Sequence, residues 1–441
     1  MNAAIVINIS VYINKGMLSQ TCILHPDKRE FEILKSLCRA SKNLYNFGLY
    51  QTRQHLFLNN AFLKYPENYH LCKENENYKY MQSASAQQTL KFVERNMRSF
   101  YALKKLADKG KVDPPSLPRY LKKDGYFMVA YPKNGFSIKG NKIELGTSRE
   151  QGKGNKLSFT IPKHIRRYKH KIQEIHILPS WQGKFFRIKY IYEEAQQIKQ
   201  LDPERVLGID LGLDNFATLV GSDGTATIIS GKYIKSYNRW FNKEKAKIQS
   251  QKDLQGYKHC TAKEIQMSEK RNNVINEFLN QSVNLIVKHC ISNNIGTVIV
   301  GDFEGAKTGI NHGRKNNQNF VSVPYYKFKA KLESKCQFYG IEYKAVNESY
   351  TSKCDALALE PVKKHESYLG KRKKRGLFQS STGVLLNADV NGSLNIIRKV
   401  SGDSPVKEII SSGLVNRPVT VYLCGNKLNC VSSYSASPIL A

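Results

Sequence analysis

The sequence predicts a multidomain protein of mixed α/β and α+β class, and three observations carry that expectation. The stretch 206–220, VLGIDLGLDNFATLV, reads as a buried β run that ends in an acid, turns near a Gly and resumes almost at once as a second apolar run. Beyond it, β-type and helical periodicities alternate to about residue 400, the pattern of an α/β domain. Before it, a helical stretch gives way after residue 126 to short β-type runs separated by Gly, Asn and Pro, which suits a small antiparallel sheet or barrel.

A chain of 441 residues has room for two to four domains with a sizeable core. Its formal net charge is +33, from 69 Lys and Arg against 36 Asp and Glu, which an enzyme of neutral small molecules does not need. The basic residues are spread over the whole length, so the charge belongs to the folded body and points to a polyanion, with nucleic acid first. A membrane surface ranks second, and no apolar run approaches the roughly 18 residues of a spanning helix. The opening MNAAIVINIS is too short and too interrupted for a signal peptide. Nine scattered Cys without a CxxC pair read as reduced thiols in a cytosolic setting, Cys424 and Cys430 being the closest pair.

In chain order, residues 4–13 favour one strand. His25-Pro26-Asp27 starts a helix with a stripe of Phe31, Leu34, Cys38 and Tyr45. Ala86, Leu90, Val93, Met97 and Phe100 mark a second helix, whose other face carries Lys91, Arg95, Arg98 and Lys104. Residues 110–119 read as a Pro- and Lys-rich linker. Short β runs follow at 127–131, 142–145, 157–161, 174–178 and 185–192, completed by the N-terminal strand, with the helices as an insertion. After 206–220, Gly221-Ser222-Asp223-Gly224 turns the chain into a third strand, 225–230. Long Lys- and Gln-rich helices are expected from 233, and Ile275, Leu279, Val283, Ile286 and Cys290 form an amphipathic stripe. Strand 297–300 runs into Gly301-Asp302, and a polar loop spans 305–319. A helix starts at Pro324 (Phe328, Leu332, Cys336, Tyr339), strand 341–346 ends at Asn347-Glu348, and a last helix begins at Asn391. Three hairpin-linked strands, helix, strand, helix, strand, helix is the ribonuclease-H-like order, with the fourth strand between the first and the fifth.

An acid at the end of a buried strand is costly unless a cation compensates it. Phosphodiester hydrolysis uses such cations, often two held roughly 3.5–4 Å apart by carboxylates converging from separate elements. Asp210 is the first such acid. Asp389, within NADVNGSLNI, is the second, although its place before a helix also suits an N-cap.

GIDLG at 208–212, TSK at 351–353 and D-x-N-G-S-x-N-I from Asp389, in this order, resemble TnpB proteins. These are transposon-encoded RNA-guided DNA endonucleases similar to the miniature type V CRISPR effectors. SKNLYNFGLY (41–50), SASAQQTL (83–90) and PRYLKK (118–123) also resemble that family, so the likeness spans about residues 1–400. It implies a RuvC nuclease domain at 201–400, a β-barrel wedge domain at 1–16 and 110–200, a helical recognition domain at 17–109, and a tail at 401–441. It further implies Mg²⁺ or Mn²⁺, a transposon-end guide RNA and double-stranded target DNA beside a short adjacent motif. Asp210 and Asp389 match the first and third RuvC acids.

The chain departs from the family pattern twice. Where the second acid should end strand 297–300, it has Gly301. Asp302 would point to the other face, and Glu304 lies further into the loop. Glu348, at the end of the neighbouring strand about 4.8 Å away, is the preferred second acid, with Asp302 the alternative; VNESYTSK resembles TnpB branches in which this acid has moved. A pairing of Glu348 with Lys353 or Lys344 is the bland reading. The insert 350–386 holds Cys354 alone, so a degenerate zinc-ribbon-like insert without zinc is expected. Lys371, Arg372, Lys373, Lys374 and Arg375 there, with Lys353, Arg314 and Lys315, are the expected nucleic-acid contacts. Helices in 243–270 are expected along the guide–target duplex, and Tyr325, Tyr326 and Tyr350 read as core. The leading expectation is an RNA-guided, Mg²⁺-dependent DNA endonuclease, cytoplasmic and nucleoid-associated in a prokaryote, with no membrane partner. The rival is a guided DNA-binding repressor that does not cut; a DNA-joining transposase stands third.

Overall fold

A computed structural model describes residues 16–302, 322–424 and 427–431, and the chain divides into two units, residues 1–195 and 196–441. In the first unit, β1 (Met17–Ile23) leads into α1 (Lys28–Asn59). Asp27 sets the start of α1 by a reciprocal capping box: its Oδ1 accepts from Glu30 N at 2.8 Å, and Glu30 Oε2 accepts from Asp27 N at 3.1 Å. Two short helices, α2 (Tyr65–Cys72) and α3 (Glu76–Tyr80), precede α4 (Ser83–Ala107). The apolar stripes of α1 and α4, among them Leu34, Leu44, Leu90 and Met97, are buried.

β2 (Val129–Pro132), β3 (Phe136–Lys139), β4 (Lys142–Leu145), β5 (Ser158–Thr160), β6 (Ile172–Ser180) and β7 (Phe185–Glu193) follow. They form two small antiparallel sheets, β1-β7-β6-β2 and β3-β4-β5, where the sequence suggested one sheet or barrel. Local periodicity finds each strand but does not say which partner it takes. The strand beside β7 is β1, whose inward residues include Leu18 and Cys22; the expected strand at 4–13 lies outside the described residues.

The second unit is built on one seven-stranded sheet. β8 (Asp202–Leu211), β9 (Asn215–Gly221) and β10 (Ala226–Ser230) form the antiparallel meander, followed by α5 (Lys232–Leu254) and α6 (Ala262–Ser292). β11 (Ile295–Asp302), α7 (Tyr325–Tyr339) and β12 (Glu342–Asn347) come next, and β11 runs parallel to both β8 and β12. A small sheet of β13 (Lys371–Lys374), β14 (Leu377–Gln379) and β15 (Leu385–Asn387) precedes α8 (Ala388–Ser401) and α9 (Ser404–Ser411). β16 (Val419–Cys424) then pairs in parallel with β10, and β17 (Lys427–Val431) pairs with β16. The order β12-β11-β8-β9-β10-β16-β17 contains the predicted ribonuclease-H-like arrangement. Among the described residues beyond 400, β16 and β17 extend the sheet.

Side-chain alternation divides the core between the two faces of this sheet. Leu207, Ile209, Leu211, Val298 and Val300 meet α6 and α7 on one face. Val206 and Ile299 meet α8, α9 and the small sheet on the other, with Val346 beside them. Asp210, Gly301 and Glu348 continue the second series by steps of two. Among the described residues, no helix is long and apolar enough to cross a membrane.

Candidate active site

Asp210 stands next to last in β8, on the face that α8 covers. Its backbone N donates to Ser393 Oγ at 3.2 Å, and that hydroxyl donates to Thr218 O at 2.8 Å, so one serine ties α8 to two strands. Gly392 lets the helix come this close: a Cβ there would lie 2.8 Å from Asp210 Oδ2. The carboxylate therefore rests against bare helix backbone.

Asp389 lies in the first turn of α8, not ahead of the helix as its sequence context suggested. Asn387 is the N-cap, and its Oδ1 accepts from Asp389 N at 2.9 Å, which leaves the Asp389 carboxylate free of capping. Asn215, at the start of β9, donates to Asp389 Oδ2 at 2.7 Å.

Glu348 follows β12 directly and shares the same face. A Cβ on Gly301 would lie 3.0 Å from Glu348 Oε2 and 3.6 Å from Glu348 Cβ. The space that a side chain at 301 would take is thus shared by Ile396, whose Cδ1 would lie 2.8 Å from that Cβ, and by Glu348, whose Oε2 is buried with no hydrogen-bond partner among the described residues. Asp302 belongs to the opposite series and forms an ion pair with Lys329 of α7.

The electrostatics follow from this crowding. Burial raises Asp210 well above the usual carboxylate range, the charges of Asp389 and Glu348 add to that, and the Leu211 N–H and Arg372 oppose it. Burial, and then the charge of Asp302, pushes Glu348 up to about 7, against the opposing charges of Lys329 and Lys399. Acids this reluctant to ionise together favour a bound cation. Asp210 thus lies within charge–charge range of both Asp389 and Glu348; among the described residues no group of three or more His, Cys, Asp or Glu forms a ready-made metal cluster.

Two asparagines that the sequence motif displayed without a role join α8 to the insert. Asn391 Nδ2 donates to Cys354 O at 2.8 Å and Asn391 Oδ1 accepts from Ala356 N at 3.0 Å. Asn395 Nδ2 donates to Thr351 O and Cys354 O at 2.9 and 2.7 Å. Within the insert, the buried Asp355 accepts from Ser380 Oγ, Ser381 N and Ser381 Oγ at 2.8, 2.7 and 3.0 Å, and Glu360 accepts from Asp355 N at 2.7 Å. Sequence reasoning missed both acids; their signal, an acid inside an otherwise basic insert, was present.

The basic strand β13 is exposed along its whole length. Arg372 is felt by Asp210, and Arg375 pairs with Asp214 at 2.6 Å. Lys353 is exposed, with its ammonium 5.7 Å from the centre of the Tyr368 ring. Arg314, Lys315 and Glu304 lie outside the described residues. Tyr325 is core, as expected, and donates to Gly212 O at 2.6 Å. Tyr326 and Tyr350 are 41% and 38% exposed, so the core reading fails for both.

Comparison with known proteins agrees with this architecture. A family model described as "Probable transposase" (OrfB_IS605) matches residues 189–307, and one described as "Cas12f1-like, TNB domain" matches residues 325–396. The TnpB-like protein ORF457 of Acidianus two-tailed virus is 25% identical over 409 residues, covering 84% of this chain and 83% of that one. The CRISPR-associated endodeoxyribonuclease Cas12f1 of Syntrophomonas palmitatica is 26% identical over 187 residues, 40% of this chain and 36% of its own. A cryo-EM structure of a Cas12f1–sgRNA–target DNA complex superposes with a TM-score of 0.60 at 17% identity, covering 83% of this chain and 82% of that one. The mini-RNA-guided endonuclease CRISPR-Cas_phi3 does so with a TM-score of 0.52 at 11% identity, over 88% and 93% of the two chains. At such identities the two structures speak for the fold.

Proposed function

We propose, on the premise that this chain is a TnpB-like protein, that it is an RNA-guided DNA endonuclease whose RuvC-type site is Asp210, Asp389 and Glu348. The observation that carries this reading is Glu348 Oε2, buried, without a partner and set where a side chain at Gly301 would reach. Three carboxylates offer only hard oxygen donors, which suit Mg²⁺ or Mn²⁺. Held by these residues, divalent cations would supply charge for the leaving oxygen and a more acidic water.

The chain's own groups do the rest. Asn215 orients Asp389 by its amide, and Ser393 fixes the backbone at Asp210. Gly392 and Gly301 keep side chains out of the space between the acids. β13, with Lys371 to Lys374 and the neighbouring Arg375, would grip a DNA strand by its phosphates, with Lys353 beside it. Arg314 and Lys315 are proposed for the same duty. A guide RNA would read the target by base pairing, while the protein reads duplex shape and a short adjacent motif. The helices within 17–109 and the strands within 110–200 would serve as recognition and wedge elements. Such a partner set would put the protein with the nucleoid.

A supercoiled plasmid carrying a matched target, incubated with the protein, its guide RNA and Mg²⁺, tests the proposal. Nicking and linearisation are expected. Retained binding without nicking would instead select the guided repressor, the reading that the missing acid at 301 favours.

A further inference from the structure

We propose that Lys399 is a positioning residue for Glu348, a clamp that an acid placed beyond the end of its strand requires. The inference rests on the reading of Glu348 as a metal-holding acid. The parallel ladder between β11 and β12 ends at Asp302 opposite Asn347, so Glu348 is the first residue without sheet support. An acid at 301 would sit inside β11, held in the parallel ladder opposite Val346 of β12. Glu348 has no such ladder.

Lys399, in the last turn of α8, supplies the missing restraint. Its Nζ donates to Asn347 O and to Ser349 O, both at 2.8 Å, so one ammonium holds the backbone on either side of the acid. Thr351 Oγ1 donates to Glu348 O at 2.8 Å, and Ser349 N donates to Asn347 Oδ1 at 2.8 Å, which closes the turn behind it. None of these bonds engages the Glu348 carboxylate, whose Oε2 stays unpartnered. The clamp thus fixes where the acid stands and leaves its oxygens for a ligand. Because α8 also carries Asp389, the same helix places one acid directly and the other through Lys399. The charged groups facing Glu348 are Asp302, Lys329, Lys399 itself and, across the site, Asp210.

Mn²⁺ binding to the full-length protein–guide complex, followed by the EPR signal of free Mn²⁺, gives a readout apart from cleavage. Lys399→Met is expected to weaken Mn²⁺ binding about 10-fold or more, in the range seen when outer partners of metal ligands are lost. The Mg²⁺ needed for half-maximal cleavage should rise in parallel, with melting temperature and target binding unchanged. Lys399→Arg, which can still bridge two carbonyls, should restore most of the affinity. In a Glu348→Ala background, Lys399→Met should add no more than about twofold, since the two residues act as one unit. Unchanged Mn²⁺ affinity in Lys399→Met, or an equal loss with and without Glu348, overturns the proposal. Should Lys399→Met fail to fold, Lys399→Gln, with a donor for one carbonyl, is judged by the same criteria. If Glu348→Ala alone leaves Mn²⁺ binding intact, the site reading itself has failed, and the clamp falls with it.

Discussion

In the proposed site, glycine at 301 and glutamate at 348 together would do what one acidic side chain at 301 could do. The sequence made this visible, because a strand ending in Gly beside a strand ending in Glu leaves few ways to place a carboxylate at that sheet edge. It could not show that the empty volume at one position is filled from the other, which depends on a strand register across more than forty residues. Glu348→Ala should abolish plasmid cleavage while Asp302→Ala, which loses its pair with Lys329 and its charge near Glu348 but no proposed metal ligand, should not. Adding Gly301→Glu to Glu348→Ala should recover part of the activity, since only the flexible end of Ile396 must then give way, whereas Gly301→Glu alone also collides with Glu348 and should lower cleavage. The acid also carries a pH signature. Burial and the charge of Asp302 push it up to about 7 in the folded chain, from an ordinary value of 4.5. Between those values the folded state holds the extra proton, so this stabilising share is complete below the lower value and lost as pH rises through the upper one. In EDTA, stability should therefore fall across that window. Glu348→Gln should flatten the fall by on the order of 1–2 kcal/mol, the full shift being discounted for partial exposure. Urea midpoints at pH 5 and pH 8 check it.

Among the elements, α8 does most to assemble the site. Its motif was legible as a motif, and its spacing announced a helix, but three of its residues act on segments far away in sequence. Ser393 reaches β8 and β9, while Asn391 and Asn395 reach the turn at 351–356. Periodicity reports which side of a helix is apolar and is silent on such polar ties. The helix start was misplaced for a related reason: Asn387 caps by its own side chain, and Asp389 looked equally suited to that place. Gly392→Ala would set a methyl group 2.8 Å from Asp210 Oδ2. Cleavage should drop by about 10-fold or more, as small misplacements at reacting groups do, while guide and target binding stay near wild type. A single-turnover cleavage assay beside a filter-binding assay separates the two.

For the molecule as a whole, the charge of +33 forecasts a strong dependence on salt. Each phosphate contact contributes roughly 0.9 to the slope of log affinity against log salt on duplex DNA, and less on single strands. Replacing Lys371, Lys373 and Lys374 together by Ala should lower that slope by up to about 3 if all three grip phosphates. The order of the five central strands was readable because hairpins and crossovers are local, chiral and few in kind. β16 and β17 were not: β16 lies parallel to β10, a partner nearly two hundred residues earlier, and nothing near residue 420 points to it. That pairing bears on any effort to miniaturise the protein for delivery. A version trimmed after Ser401 keeps every acid proposed for the chemistry, yet it strips the cover from the β-rich flank of β10, where Ile228 and Ile229 are buried. Exposed and apolar, that flank would invite edge-to-edge association, so the shortened chain should emerge as aggregate, visible by light scattering, while the intact chain stays dispersed.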